Sequence, residues 1–210
     1  VIEASKDPKK RTIGWMTRTH PTILENGRIL LPLYSDGFNL AMIAISDDNC
    51  KTWTNSLPIV GRGNSQPSII QKNDGSLIAY MRNDGDYPGK IMTSISNDNG
   101  FSWSFSEKTE IPNPGSSLEA IKLKSGNWLL IFNDNVEGRH QLAAAISDDE
   151  GKTWKWKKYI EKSDKGNGSY AYPSVIQAKD GKIHLTYSYH LPQEKKSIKH
   201  VSFFEDWIKE

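Results

Sequence analysis

Apolar and polar positions alternate along most of this chain in short runs, and the runs recur with a period of about 50 residues. Residues 39–45, 90–95 and 141–146 each read as a strand with one buried face, closing on the apolar stretches 42–45, 92–95 and 143–146. Upstream of each lies a second run, at 28–34, 76–82 and 127–133. Before that come a turn (Asn26-Gly27, Asp74-Gly75 or Ser125-Gly126) and a first run at 19–24, 65–70 and 118–123. A short strand completes each unit. A fourth unit begins at 171–176, turns at Asp180-Gly181, continues through 182–188 and 198–203, and stops at Trp207 after three strands. Pro21, Pro67 and Pro173 fall at strand starts, where a missing backbone donor is tolerated.

The third strand of each of the first three units runs into the same polar octet. The copies are Ser46-Asp47-Asp48-Asn49-Cys50-Lys51-Thr52-Trp53, Ser96-Asn97-Asp98-Asn99-Gly100-Phe101-Ser102-Trp103 and Ser147-Asp148-Asp149-Glu150-Gly151-Lys152-Thr153-Trp154. The middle Asp can accept backbone N–H groups ahead of it, and Gly takes the positive φ that closes the turn. Trp then starts the return strand and covers the turn. Cys50 stands where the other copies have Gly, so the first turn is expected to be strained or different. A calcium loop is the rival reading, but it needs further oxygen ligands and a Glu at its twelfth position, which these copies lack. The octet is structural and holds no metal.

Four antiparallel strands per unit, repeated with no linker, is the pattern of a β-propeller blade. The expected fold is all-β, with about four blades in one domain over residues 1–210. The fourth blade lacks a strand, and residues 1–19 are the candidate to supply it. The loops at 112–117 and 162–169 are turn-rich and expected to be exposed. Residues 1–14 are polar and basic, a poor start for a core.

Composition narrows the chemistry. A formal net charge of +2 gives no electrostatic footprint for nucleic acid or an acidic membrane surface. A single Cys rules out an internal disulfide and a zinc cluster. No run approaches the ~20 apolar residues of a membrane-spanning helix, and no signal peptide is visible. No cofactor is implied.

The strand heads carry the candidate chemistry. His20, Gln66, Glu119 and Tyr172 stand at the starts of the four inner strands, all polar and all different, as expected of a site assembled from several blades. Polar heads facing a wet channel are the plainer alternative. Seven residues past the turn glycines stand Tyr34, Arg82, Asn133 and Ser188. Arg82 ends a largely apolar strand, which is costly for a cation without a partner: it either lines a cleft or pairs with an Asp. Arg139, in Gly138-Arg139-His140, precedes a third strand. Arg82 and Arg139 are expected to point into the same cleft.

The octets resemble the Asp-box, or bacterial neuraminidase repeat, and three copies at even spacing resemble the sialidase superfamily of β-propellers. The resemblance implies further correspondences. Gln66-Pro67 precedes Arg82 by sixteen residues, as a Glu-Pro strand start precedes an Arg of the family's carboxylate-binding triad. Arg139 is similar to another triad member. Ala171-Tyr172 follows it by 33 residues, as the family's nucleophile does. The chain departs from the pattern too: Gln66 replaces the Glu that polarises the Tyr, Ser188 replaces a Glu that supports an Arg, and the first triad Arg and catalytic Asp have no counterpart. The closer resemblance is to the predicted-neuraminidase branch with BNR repeat-like sequences, through Gly14 to Pro21, Pro32-Leu33-Tyr34-Ser35-Asp36, Ser117-Leu118-Glu119-Ala120 and Ser197-Ile198-Lys199-His200. That branch resembles a six-bladed propeller, of which this chain is similar to the last four blades, the C-terminal part.

The implied activity is a sialidase-like exo-glycosidase acting on terminal anionic sugars, with a carboxylate-bearing glycan as partner. Tyr172, Glu119 and His20 are its catalytic candidates; Arg82, Arg139, Gln66, Tyr34 and Asn133 are its substrate-binding candidates. Two alternatives stand beside it. One is a propeller acting on uronate polysaccharides as a rhamnosidase or lyase, with His20 or Tyr172 moving the proton. The other is a non-catalytic carbohydrate-binding propeller, which the Gln66 and Ser188 departures would suit. A secreted or periplasmic location is favoured over a cytoplasmic one.

Overall fold

A computed structural model describes residues 6–61, 63–85, 87–193 and 195–210. The strands follow the alternation read above, and the only helices among the described residues are α1 (Pro8–Arg11) and α2 (Asp206–Lys209). The chain divides into two compact units, the first running to Tyr87 and including Ile91–Thr109, the second comprising Pro88–Lys90 and Glu110–Glu210.

The first unit holds one antiparallel sheet and most of a second. One comprises β1 (Met16–Thr17), β2 (Thr22–Ile23), β3 (Ile29–Ser35), β4 (Leu40–Ser46) and β5 (Thr54–Asn55) in the order β1-β3-β4-β5, with β2 also on β3. The other runs β6 (Asn64–Gln71), β7 (Leu77–Asn83), β8 (Lys90–Ser96) and β9 (Glu107–Pro112). Leu30, Ile43, Ile45, Leu77, Ala79 and Met81 form their shared core, with Trp103 against it. The second unit holds β10 (Glu119–Lys122), β11 (Trp128–Asn133), β12 (Gln141–Ser147) and β13 (Trp156–Lys162) as one sheet, and β14 (Ser169–Gln177), β15 (Ile183–Leu191) and β16 (Lys195–Phe203) as the other. Leu129, Ile131, Ala144, Val175, Leu185 and Tyr187 form its core. Each sheet is a propeller blade, and the fold class is all-β.

The repeat extends to the contacts between blades. The Gln71 side-chain oxygen accepts the Glu25 N–H at 3.1 Å in the first unit. Gln177 accepts the Lys124 N–H at 2.8 Å in the second. Both glutamines end an inner strand and hold the turn of the preceding blade.

Two expectations need correction. Met16 and Thr17 pair with Tyr34 and Leu33 in their own sheet, so this part of the N-terminal segment adds nothing to the fourth blade. Residues 1–5 lie outside the described residues. The 112–117 loop is not exposed: Asn113, Ser116 and Ser117 are buried. Asn113 makes that possible, because its amide donates to Ser116 O at 2.8 Å while its oxygen accepts the Gly115 and Ser116 N–H groups. A loop that satisfies its own backbone can leave water.

The three octets close alike. In each, the Ser hydroxyl donates to the middle Asp (Asp48, Asp98 or Asp149) and accepts the N–H four residues ahead, at Cys50, Gly100 or Gly151. The Asp in turn accepts the N–H and hydroxyl of Thr52, Ser102 or Thr153. Trp103 covers its turn by donating to Gly100 O at 3.1 Å. Cys50 keeps the same hydrogen bond as the glycines, at φ +65°. The first turn therefore has the common geometry and carries its strain in the backbone.

Cys50 is exposed, so its side chain gains little burial to set against that strain. Cys50→Gly is expected to raise stability by roughly 1 kcal/mol, the relief of the left-handed residue less the added chain entropy. Chemical denaturation checks it. The octets also predict an acid response. The Thr153 hydroxyl and N–H bonds hold the Asp149 carboxyl down from 3.8 to about 2. A folded-state value below the unfolded one gives stability that is complete above about pH 4 and is lost as pH falls toward 2. Asp149→Asn should flatten the stability–pH curve in that window, and acid titrations of the two proteins compare it.

Candidate active site

The fourth blade's inner strand is bulged at its head. Ala171 lies opposite Ser188 and Ser174 opposite Thr186, so Tyr172 and Pro173 together face Tyr187 alone. Tyr172 takes φ +54° immediately before a proline, a conformation that a residue with a Cβ adopts only under constraint. The second blade repeats this. Gln66 and Pro67 sit in the register shift between Ser65 and Ser68, and Gln66 has φ +55°.

The bulge corrects the expected equivalence of the four strand heads. Gln66 and Tyr172 stand nine residues before their turn glycines, whereas His20 and Glu119 stand seven before theirs. By ladder register Glu119 faces Ile131 as Ser68 faces Tyr80 and Ser174 faces Thr186. The heads therefore form two pairs, with Ser68 and Ser174 the true counterparts of His20 and Glu119. The bulge also separates Tyr170 from Tyr172, which simple alternation would place on one face. Tyr170 is buried against Tyr189, ring centroids 5.4 Å apart, and a Cβ at Gly168 would lie only 2.3 Å from its hydroxyl. Tyr172 is 38% exposed.

Around Tyr172 the second unit assembles three of the other candidates. The Arg139 guanidinium lies over the Tyr172 ring, 5.3 Å from its centroid, and donates to Gly115 O at 3.0 Å. Such a cation–π contact contributes ~0.5–1 kcal/mol when partly exposed, and it orients the guanidinium. Arg139 O accepts the Tyr170 N–H at 2.7 Å. Asn133, fully buried, donates to Tyr170 O at 2.8 Å and to Gln141 O at 2.9 Å. Its amide nitrogen is thus committed to backbone, and its buried oxygen has no hydrogen-bond partner among the described residues. Asn133 braces the frame through its amide nitrogen. Glu119, also fully buried, accepts the Val175 N–H at 2.7 Å.

Other phenols nearby are held protonated. Burial, then the hydrogen bond to Glu161, raises the Tyr187 hydroxyl, and Lys199 shares that carboxylate. The bond to Asp134 pushes Tyr159 up to about 12. Sequence reasoning missed Gly115, whose positive φ lies in the turn signal Asn113-Pro114-Gly115, and the Asn135–His140 contact of 3.1 Å beside Arg139.

The first unit holds the remaining candidates. Arg82 pairs in register with Ser65, and its Nε lies 2.5 Å from Asp84 Oδ1. That nitrogen makes no hydrogen bond of good angle, so the pair is an ion contact of the kind weighed as the alternative to a cleft. Gln66 is 4% exposed, with its buried oxygen unpartnered among the described residues. His20 and Tyr34 are half-buried, Tyr34 opposite Met16 and Ala41. Among the described residues no group of three or more His, Cys, Asp or Glu side chains could hold a metal ion, and no helix is long and apolar enough to cross a membrane.

A family described as the BNR repeat-like domain matches residues 6–185. The anhydrosialidase of Macrobdella decora is 25% identical over 181 residues, covering 77% of this chain and 23% of the relative. A Dyadobacter fermentans protein of unknown function superposes with a TM-score of 0.72 at 21% identity, over 90% of this chain and 54% of that one. The intramolecular trans-sialidase of Ruminococcus gnavus, solved with oseltamivir carboxylate, gives a TM-score of 0.72 at 23% identity, over 90% and 44%. The chain thus spans less than a quarter of the curated relative and about half of the two solved proteins.

The frame makes its own prediction. Asn133→Ala removes the donor from one buried and one partly buried carbonyl, so a loss of about 1–3 kcal/mol is expected in urea unfolding, at the usual penalty for an unsatisfied group. A loss under ~0.5 kcal/mol would show that the amide carries no weight.

Proposed function

Because the chain belongs to the BNR repeat-like domain family of the sialidase superfamily, we propose that it is the C-terminal part of a longer propeller that hydrolyses terminal carboxylate-bearing sugars. The share of its relatives that it spans supports a longer propeller. The observation that carries the hydrolytic reading is Arg139 lying over the ring of Tyr172. A guanidinium presents a fork of donors matched to a carboxylate, and a phenol beside it, unlike a carboxylate nucleophile, does not repel that carboxylate.

The chemistry follows. The Tyr172 oxygen attacks the anomeric carbon and its proton passes to a base; the bond to the leaving oxygen breaks as that oxygen takes a proton from an acid. Water then displaces tyrosine from the glycosyl intermediate. A phenol near its ordinary value of ~10 needs that base. Gln66 has no basic atom and cannot be that base.

Gln66 also favours a second reading, in which the site binds anionic sugar without turning it over. One experiment separates the two. The full-length protein is assayed on aryl sialosides and uronate oligosaccharides, with binding measured in parallel. The hydrolytic reading expects release of the anionic sugar, a loss of ~100-fold or more in turnover for Tyr172→Phe with binding retained, and a raised KM for Arg139→Ala. Wild-type binding without turnover would establish the second reading. Unchanged turnover in Tyr172→Phe would remove Tyr172 from the mechanism.

A further inference from the structure

The geometry points to Glu119 as a positioning residue for Tyr172 rather than the base that deprotonates it. The inference rests on Tyr172 being the reactive group.

A left-handed residue in a bulge persists only where its surroundings over-determine it. The stretch from Tyr170 to Val175 is held from the neighbouring sheet at both ends. At one end Arg139 O takes the Tyr170 N–H and Asn133 takes the Tyr170 carbonyl. At the other, Glu119 takes the Val175 N–H at 2.7 Å. Tyr172 lies between these fixed points.

The need for Glu119 follows from the sheet. β14 is an inner strand, bonded to β15 on one side only, so its backbone groups on the other side must find side chains. In the first unit a hydroxyl meets the same need: Thr22 donates to Ile69 O at 3.0 Å, and Ile69, like Val175, follows a bulge by two residues past its proline. At Val175 the group to be satisfied is a donor, and an acceptor stands there. Glu119 and Val175 are both fully buried, and Glu119 lies opposite Ile131 in an apolar strand. One carboxylate oxygen is therefore committed to backbone, as Asn133 is at the other end.

Isosteric replacement separates holding from proton transfer. Gln keeps an oxygen that accepts the Val175 N–H but has no basicity; Ala keeps neither. In the full-length protein, Glu119→Gln is expected to keep wild-type kcat and pH profile, while Glu119→Ala loses ~100-fold, the usual cost of a reacting group displaced by about 1 Å. Amide hydrogen exchange reads the clamp without any assay of activity. The Val175 amide should stay protected in wild type and Glu119→Gln and exchange faster in Glu119→Ala. If Glu119→Gln loses as much activity as Glu119→Ala while Val175 stays protected, Glu119 is the base and the inference is overturned. Unaltered Val175 protection in Glu119→Ala would overturn it as well. Failure of the premise shows separately, as full turnover in Tyr172→Phe.

Discussion

The constraint on which the site depends is the left-handed backbone at Tyr172, immediately before Pro173. Released, the strand would alternate normally, and Tyr172 would share a face with Tyr170. The two-against-one register instead buries Tyr170 and turns Tyr172 outward under Arg139. Strain of this kind costs roughly 1–3 kcal/mol and must be met by contacts that lapse if the bulge relaxes. Those contacts come from the neighbouring blade, through Asn133, Arg139 and Glu119. A blade that braces its neighbour's strained strand couples propeller packing directly to the placement of Tyr172.

The octets serve the same end from the opposite side of each blade. By closing the third strand of the first three blades with one Ser–Asp–Thr/Ser network, they fix how the fourth strand returns. The first blade shows how firmly the geometry is set: Cys50 accepts a glycine's backbone angle in order to keep its bond to Ser46. Variation shows as well at the strand heads. The blades differ there, nine residues from head to turn in the second and fourth, seven in the first and third.

The fold was legible in the sequence because its signals are local. Period-two alternation, turn glycines and the octets lie within a few residues of one another, and each dictates its own geometry. The bulge was partly legible. The seven-against-nine spacing stands in the sequence, but the common X-Pro start masked it, and a bulge is defined only by the partner strand. The bracing was not legible at all. Asn133 reads as a polar residue at a strand end, and only long-range pairing shows its amide spent on Tyr170 and Gln141. The 112–117 loop misled for a related reason: polarity signals exposure unless the polar groups satisfy one another, as Asn113 arranges.

The central claim is that the Tyr172 oxygen is the atom that bonds to the sugar. Its most direct test is covalent capture in the full-length protein with an activated sialoside fluorinated beside the anomeric carbon, which slows breakdown of a glycosyl intermediate. Peptide mapping by mass spectrometry should place one glycosyl adduct on the peptide carrying Tyr172, at the phenol oxygen. Turnover with an adduct on another residue, or with none under trapping conditions, would contradict the account.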